Sequence, residues 1–172
     1  RLLVVGGSLG ARALNEIVPQ AIALMPADKR PTVVHQSGAA QIDALRATYA
    51  AAGVEAELTP FIDDTASAFA AADIIVCRAG ASTVTEIAAV GAASIFVPFP
   101  SAVDDHQTTN AQFLVNAGGG WLVQQRDLTP QGLSEMLLKL ERSTLVDVAL
   151  KAKNMQKINA TREVVTACEE LA

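Results

Sequence analysis

The chain has 172 residues, a length that suits one domain with room for a sizeable core. Hydrophobic residues at 51% against 18% charged exclude a disordered chain, and a formal net charge of -5 argues against nucleic acid, whose binders carry a basic footprint. Cys77 and Cys168 form neither a metal motif nor a disulfide framework, no apolar run reaches the ~18 residues of a membrane span, and no signal peptide is present, so the expected compartment is the cytoplasm.

Arg1 leads directly into the apolar run Leu2–Val5, read as a strand. A strand with no initiator Met before it reads as a piece excised from a longer protein. Gly6-Gly7-Ser8-Leu9-Gly10 then joins that strand to a helix expected over Ala11–Leu24. Three glycines allow a tight turn and close backbone approach, and the helix N-terminus offers unpaired N–H groups, so the segment can hold an anion such as phosphate. A tight turn with no ligand is the alternative. The spacing is not that of a dinucleotide fingerprint, and no acidic residue ends the next strand, which runs into His35-Gln36-Ser37-Gly38. No Gly-Lys-Ser/Thr follows, so it is not a P-loop either.

Further strands are expected at Thr32–His35, Ala56–Thr59, Asp73–Cys77, Ser94–Val97 and Gly120–Val123. Their short, apolar, β-branched character suits strands buried on both faces. Helices are expected at Ala39–Ala52, Thr65–Ala71, Thr83–Ala89, His106–Asn116, Pro130–Glu141, Leu145–Lys157 and Thr161–Leu171. The alternation predicts an α/β domain, Rossmann-like, with a parallel sheet of about six strands and helices on both faces. Gly53 and Gly91 fit left-handed C-caps, Asp63 or Asp64 an N-cap, and Thr129 an N-cap ahead of Pro130. His35 reads as a structural, partly buried residue with some chance of lining the site. Met25, Met136, Met155 and Trp121 read as core. No linker divides residues 1–172.

A second strand-to-helix junction is Cys77-Arg78-Ala79-Gly80-Ala81-Ser82-Thr83-Val84-Thr85-Glu86. Gly80 frees the turn, and Ala81, Ser82 and Thr83 present small side chains and N–H groups to a second anion. Glu86, about one turn further on, can accept hydrogen bonds from both hydroxyls of a ribose. The competing reading is a capping box in which Thr83 caps the helix and Glu86 bonds back to it. A third segment, Pro98-Phe99-Pro100 followed by Asp104-Asp105-His106-Gln107-Thr108-Thr109-Asn110, is a candidate reader of sugar hydroxyls, with Asp104 or Asp105 as a helix cap on the blander view. No Asp-x-Asp occurs, so no metal and no cofactor is expected.

Taken together, residues 4–12, His35-Gln36-Ser37-Gly38, Phe61-Ile62-Asp63-Asp64, residues 77–88, residues 97–100 and residues 106–111 resemble the C-terminal, donor-binding domain of the MurG family of peptidoglycan N-acetylglucosaminyltransferases. The resemblance implies one half of a GT-B glycosyltransferase, whose acceptor-binding N-terminal domain lies outside this chain. It implies inverting transfer of N-acetylglucosamine from UDP-N-acetylglucosamine to the lipid-linked muramyl-pentapeptide acceptor, at the cytoplasmic face of the bacterial inner membrane. Membrane contact and the general base are then expected in the other domain. Carried over by position, Ser8 contacts the phosphate region and Phe61 and Ile62 line the uracil. Ala81, Ser82 and Thr83 cradle the diphosphate, with Gly6, Gly7, Gly10 and Gly80 as the phosphate-loop glycines, and Arg78 is a further substrate-binding residue. Glu86 holds the ribose, and His106 and Gln107 read the sugar. Leu9 stands where many members carry Gln, which removes a polar contact, and His106 stands where some carry another Gln, which alters its sugar contact. The alternatives are a stand-alone nucleotide-sugar-binding module, half of a UDP-N-acetylglucosamine 2-epimerase, and a Rossmann-like protein with no nucleotide.

Overall fold

The computed structural model describes residues 1–100 and 105–171. Six short strands form one sheet: β1 (Leu2–Val5), β2 (Val33–Gln36), β3 (Glu57–Thr59), β4 (Ile74–Cys77), β5 (Ser94–Phe96) and β6 (Trp121–Leu122). Every neighbouring pair runs parallel, in the order β3-β2-β1-β4-β5-β6. The helices among the described residues are α1 (Arg12–Ala23), α2 (Ile42–Ala52), α3 (Thr65–Ala70), α4 (Ala81–Val90), α5 (His106–Val115), α6 (Pro130–Lys139), α7 (Arg142–Asn154) and α8 (Ala160–Glu170). The expected Rossmann-like sheet is therefore present, strand for strand.

Alternation along each strand supplies two cores. Leu2, Val4, Ile74 and Val76 face one layer, where they meet Leu14, Val18 and Ile22 of α1, Leu45 and Tyr49 of α2, and Leu133 of α6. Leu3, Ile75 and Cys77 face the other layer, against Phe69 of α3, Val84 and Ile87 of α4, Leu114 of α5 and Ala152 of α7. Both faces are thus covered, which is why β1 and β4 are apolar at every position rather than at alternate ones, while β2 and β5 bury His35, Gln36 and Ser94 among their apolar residues. The outer strands β3 and β6 are only three and two residues long. Met25 is buried in the first core, whereas Met136, Met155 and Trp121 are half-buried at the edges of the two cores.

The caps follow local chemistry. Asp64 accepts from the Ser67 N–H at 2.9 Å, and Thr129 accepts from the Gly132 N–H at 3.1 Å with Pro130 opening α6. Gly53 and Gly91 close α2 and α4 in the left-handed region. Two boundaries differ from expectation in ways that matter below. β2 extends to Gln36, one residue beyond the expected His35, and α4 begins at Ala81 rather than Thr83. α7 also starts at Arg142 rather than Leu145. No helix among the described residues is long and apolar enough to cross a membrane.

Candidate functional site

Because all strands are parallel, the loops after β1, β2, β3, β4 and β5 emerge at one edge of the sheet. The chain leaves β1 toward β2 on one side and returns through β4 on the other, so the strand order reverses between β1 and β4. Open α/β sheets bind ligands in the crevice at such a point. Val5 and Cys77, the last residues of these two strands, are paired in register. The Gly6–Gly10 and Arg78–Gly80 segments therefore leave the sheet side by side.

The first of these loops is held from within. The Gln36 carboxamide makes four hydrogen bonds: its Oε1 accepts from Gly6 N–H and Gly7 N–H, both at 3.1 Å, and its Nε2 donates to the Gly7 and Pro60 carbonyls, both at 3.0 Å. Gly10 N–H donates to the Gly7 carbonyl at 2.9 Å. The glycine amides expected to cradle an anion are thus already paired, and the loop's open donors among the described residues are the N–H groups of Ser8 and Leu9 and the Ser8 hydroxyl. Gly10 is required by shape. Its φ is +75° and a Cβ there would stand 1.9 Å from the Ser37 carbonyl oxygen.

At the second loop the helix N-terminus is open. Gly80 is the N-cap of α4, with no side chain to cap it, and its carbonyl accepts from Val84 N–H at 3.0 Å. The N–H groups of Ala81, Ser82 and Thr83 have no partner among the described residues. Uncapped donors of this kind at the positive end of a ten-residue helix form an anion site. Thr83 is the third helical residue, so the capping-box reading of Thr83 with Glu86 does not hold. Glu86, half-exposed, makes no hydrogen bond or ion pair among the described residues.

The Arg78 guanidinium is committed to architecture. It donates to the Val97 and Pro98 carbonyls at 3.1 Å each and to Gln125 Oε1 at 2.6 Å, and it lies 5.4 Å from the Phe99 ring centroid. Partial burial holds its pKa below the ordinary arginine value. Gln107 joins two loops, its Oε1 accepting from Ala79 N–H at 3.3 Å and Phe99 N–H at 3.0 Å. Asn110 adds a bond to the Ala79 carbonyl at 3.1 Å. His106 is exposed on the first turn of α5. Asp105 occupies the N-cap with a left-handed backbone and accepts from the Thr108 hydroxyl at 2.7 Å rather than from a backbone N–H. Asp104 lies outside the described residues.

After β3, Thr59 donates its hydroxyl to the Phe61 carbonyl at 2.6 Å, and the Phe61 ring stands outward at 57% exposure. Ile62 packs inward against the second core. A cleft of about 350 Å³ opens on the crevice between Gly10, Arg12, Gln41, Arg78, Phe99 and Gln125. Among the described residues no group of three or more His, Cys, Asp or Glu could hold a metal ion.

His35 does not line this site. It is fully buried in mid-strand, 3.0 Å from the Tyr49 hydroxyl and 3.0 Å from Asn15 Oδ1, and burial pulls its pKa down to about 3. Sequence reasoning missed Gln36, Asn15, Gln41 and Gln125. A signal existed for two of them: Gln36 is a polar residue ending an apolar strand, and Asn15 sits at a core position on the apolar face of α1.

The family model described as glycosyltransferase family 28 C-terminal domain matches residues 1–169. A relative from Paracidovorax citrulli is 77% identical over 171 residues, covering 99% of this chain and 48% of the relative. Its name is UDP-N-acetylglucosamine–N-acetylmuramyl-(pentapeptide) pyrophosphoryl-undecaprenol N-acetylglucosamine transferase. Among solved structures, Acinetobacter baumannii MurG superposes with a TM-score of 0.90 at 44% identity, over 99% of this chain and 49% of that one. The glycosyltransferase VinC, in complex with dTDP, shares the fold at a TM-score of 0.66 and 18% identity, over 100% of this chain and 42% of that one. The chain spans about half the length of the curated relatives it matches.

Proposed function

The chain belongs to the glycosyltransferase family 28 C-terminal domain family, and from that premise we propose that it binds the UDP-N-acetylglucosamine donor of an inverting N-acetylglucosaminyltransferase in peptidoglycan synthesis. The observation that carries the proposal is the uncapped N-terminus of α4, whose free Ala81, Ser82 and Thr83 N–H groups stand one turn before an unpartnered Glu86. A diphosphate held on these N–H groups would leave Glu86 for the adjoining ribose. The 77% identity to a transferase named for this donor supports the same reading.

In this reading the diphosphate lies on the α4 N-terminus and Ser8, the uracil against Phe61 and the Ile62 backbone, and the ribose diol on Glu86. Negative charge grows on the leaving diphosphate as the glycosidic bond breaks. Fixed N–H donors stabilise that charge without reorganising. Arg78 supports the site through the Val97, Pro98 and Gln125 contacts it already makes. Gln107 keeps its amide nitrogen for a sugar hydroxyl beside His106. The acceptor is the lipid-linked muramyl pentapeptide named for the relative, engaged with a second, N-terminal domain that supplies the general base and the contact with the cytoplasmic face of the membrane.

Glu86→Ala should weaken UDP binding by ~1.5–3 kcal/mol, the size of a lost charged hydrogen bond, and 2′-deoxy-UDP binding by much less. Calorimetry on the two ligands decides it: equal losses would remove the ribose role. UDP affinity should also be unchanged by EDTA, since the helix N-terminus already supplies positive potential. A tenfold loss on chelation, restored by Mg²⁺ or Mn²⁺, would overturn that expectation.

A further inference from the structure

A continuous line of hydrogen bonds runs from the first core to the Gly6–Gly10 loop, and its direction is fixed by chemistry. Asn15 Nδ2 donates to Gln41 Oε1 at 2.9 Å and to the Ser37 carbonyl at 3.3 Å, so Asn15 Oδ1 is left as an acceptor. His35 Nε2 stands 3.0 Å from that oxygen and must carry the proton. Nδ1 of the neutral ring is then an acceptor, and the Tyr49 hydroxyl at 3.0 Å donates to it. At the other end, Gln41 Nε2 donates to the Leu9 carbonyl at 2.9 Å. Each donor from Tyr49 to Gln41 therefore points toward the loop.

The effect falls on one peptide unit. The Leu9 carbonyl is held by Gln41, while the N–H of the same peptide, on Gly10, is held by the Gly7 carbonyl. With both ends tied, the peptide cannot flip. The loop's remaining N–H groups, at Ser8 and Leu9, have no partner among the described residues. Leu9 is 86% exposed, so the tip of the loop stands in solvent while its base is fixed. Tyr49, His35 and Asn15 are all buried, which shields the line from competing water.

We propose that the Tyr49–His35–Asn15–Gln41 line sets the Gly6–Gly10 loop in the conformation that receives the donor's phosphates, with Gln41 as the positioning residue at its end. The inference rests on the donor-site reading above. Preorganised donors bind an anion without the loss of loop freedom that a mobile segment would suffer. The benefit reaches the phosphate and not the base, because Pro60 and Phe61 are tied by Gln36 and Thr59 and make no bond to Gln41.

The test is calorimetric titration of the wild-type chain, Gln41→Ala and Gln41→Met with UDP and with uridine. Each variant should lose about fivefold to tenfold in UDP affinity, the worth of one hydrogen bond. Uridine affinity should stay within about twofold, which a general loss of structure would not allow. Gln41 is half-exposed, so the thermal midpoint should move little. Equal losses for UDP and uridine, or UDP affinity that does not move, overturn the positioning role while leaving the donor site standing. Wild-type protein that binds no UDP overturns both. Should Gln41→Ala lack a cooperative melt, Gln41→Met, which keeps the stem and removes only the polar atoms, decides between these outcomes.

Discussion

Gln36→Glu should destabilise the chain by about 3–5 kcal/mol, a loss on the scale of most of a small domain's stability. The side chains are the same shape, so packing is unchanged. What changes is that the oxygen replacing Nε2 faces the Gly7 and Pro60 carbonyls, 3.0 Å away, with no proton to give either. Two stranded acceptors cost ~1–3 kcal/mol each, and the repulsion from a buried carboxylate adds to that. The other oxygen keeps its bonds from Gly6 and Gly7. Urea unfolding measures the result: the midpoint should fall with the slope unchanged. A loss below ~1 kcal/mol would show that the loops rearrange freely around this position, and that Gln36 is no clamp.

Acid should unfold the chain through His35. Burial lowers its pKa from 6.5 to about 3, so between those values the unfolded state holds the proton and the folded state does not. Stability is then complete well above pH ~6.5 and declines as the pH falls toward about 3, by up to ~5 kcal/mol. The structural cost is a charge placed in a buried site, with Tyr49 forced to turn its O–H away from the Nδ1 that now accepts it. His35→Gln should start less stable at neutral pH and show a flatter profile through this window. An equally steep profile in the variant would assign the acid transition to carboxylates instead.

The sheet was legible from residues because its central strands β1 and β4 are apolar on both faces, a pattern that a covered parallel sheet produces. The loops at the site were legible because glycines and small hydroxyl residues stand between strand and helix. The start of α4 was read two residues late, since Ser and Thr are common caps and Thr83 with Glu86 matches a capping box. The chain uses Gly80 instead, and the absence of a capping side chain is what leaves the donors open. The loop clamps were not legible. Gln36 reaches Gly6 and Gly7 only because Val5 and Gln36 are in register across β1 and β2, and Pro60 only because β3 lies on the far side. Arg78 was read as a substrate contact from its place in the motif, but the first carbonyl it meets, that of Val97, lies 19 residues away in sequence. Such partners depend on tertiary geometry rather than on local spacing.

The central place of β1 has a consequence for synthesis on the ribosome. Its four apolar residues leave the exit tunnel before the other five described strands, yet one of their two neighbours, β4, begins at Ile74. At ~5–20 residues per second that neighbour arrives roughly 4–14 seconds later. Until β2 (Val33–Gln36) emerges Leu2–Val5 has both edges open, and from then until β4 arrives it has β2 on one side and an open hydrogen-bonding edge on the other. The nascent chain is therefore most exposed to chaperone capture, or to mispairing with a second copy, before residue 77 has emerged. Stalled chains ending near Ala72 should be chaperone-bound and protease-sensitive, and chains extended past β5 should be neither.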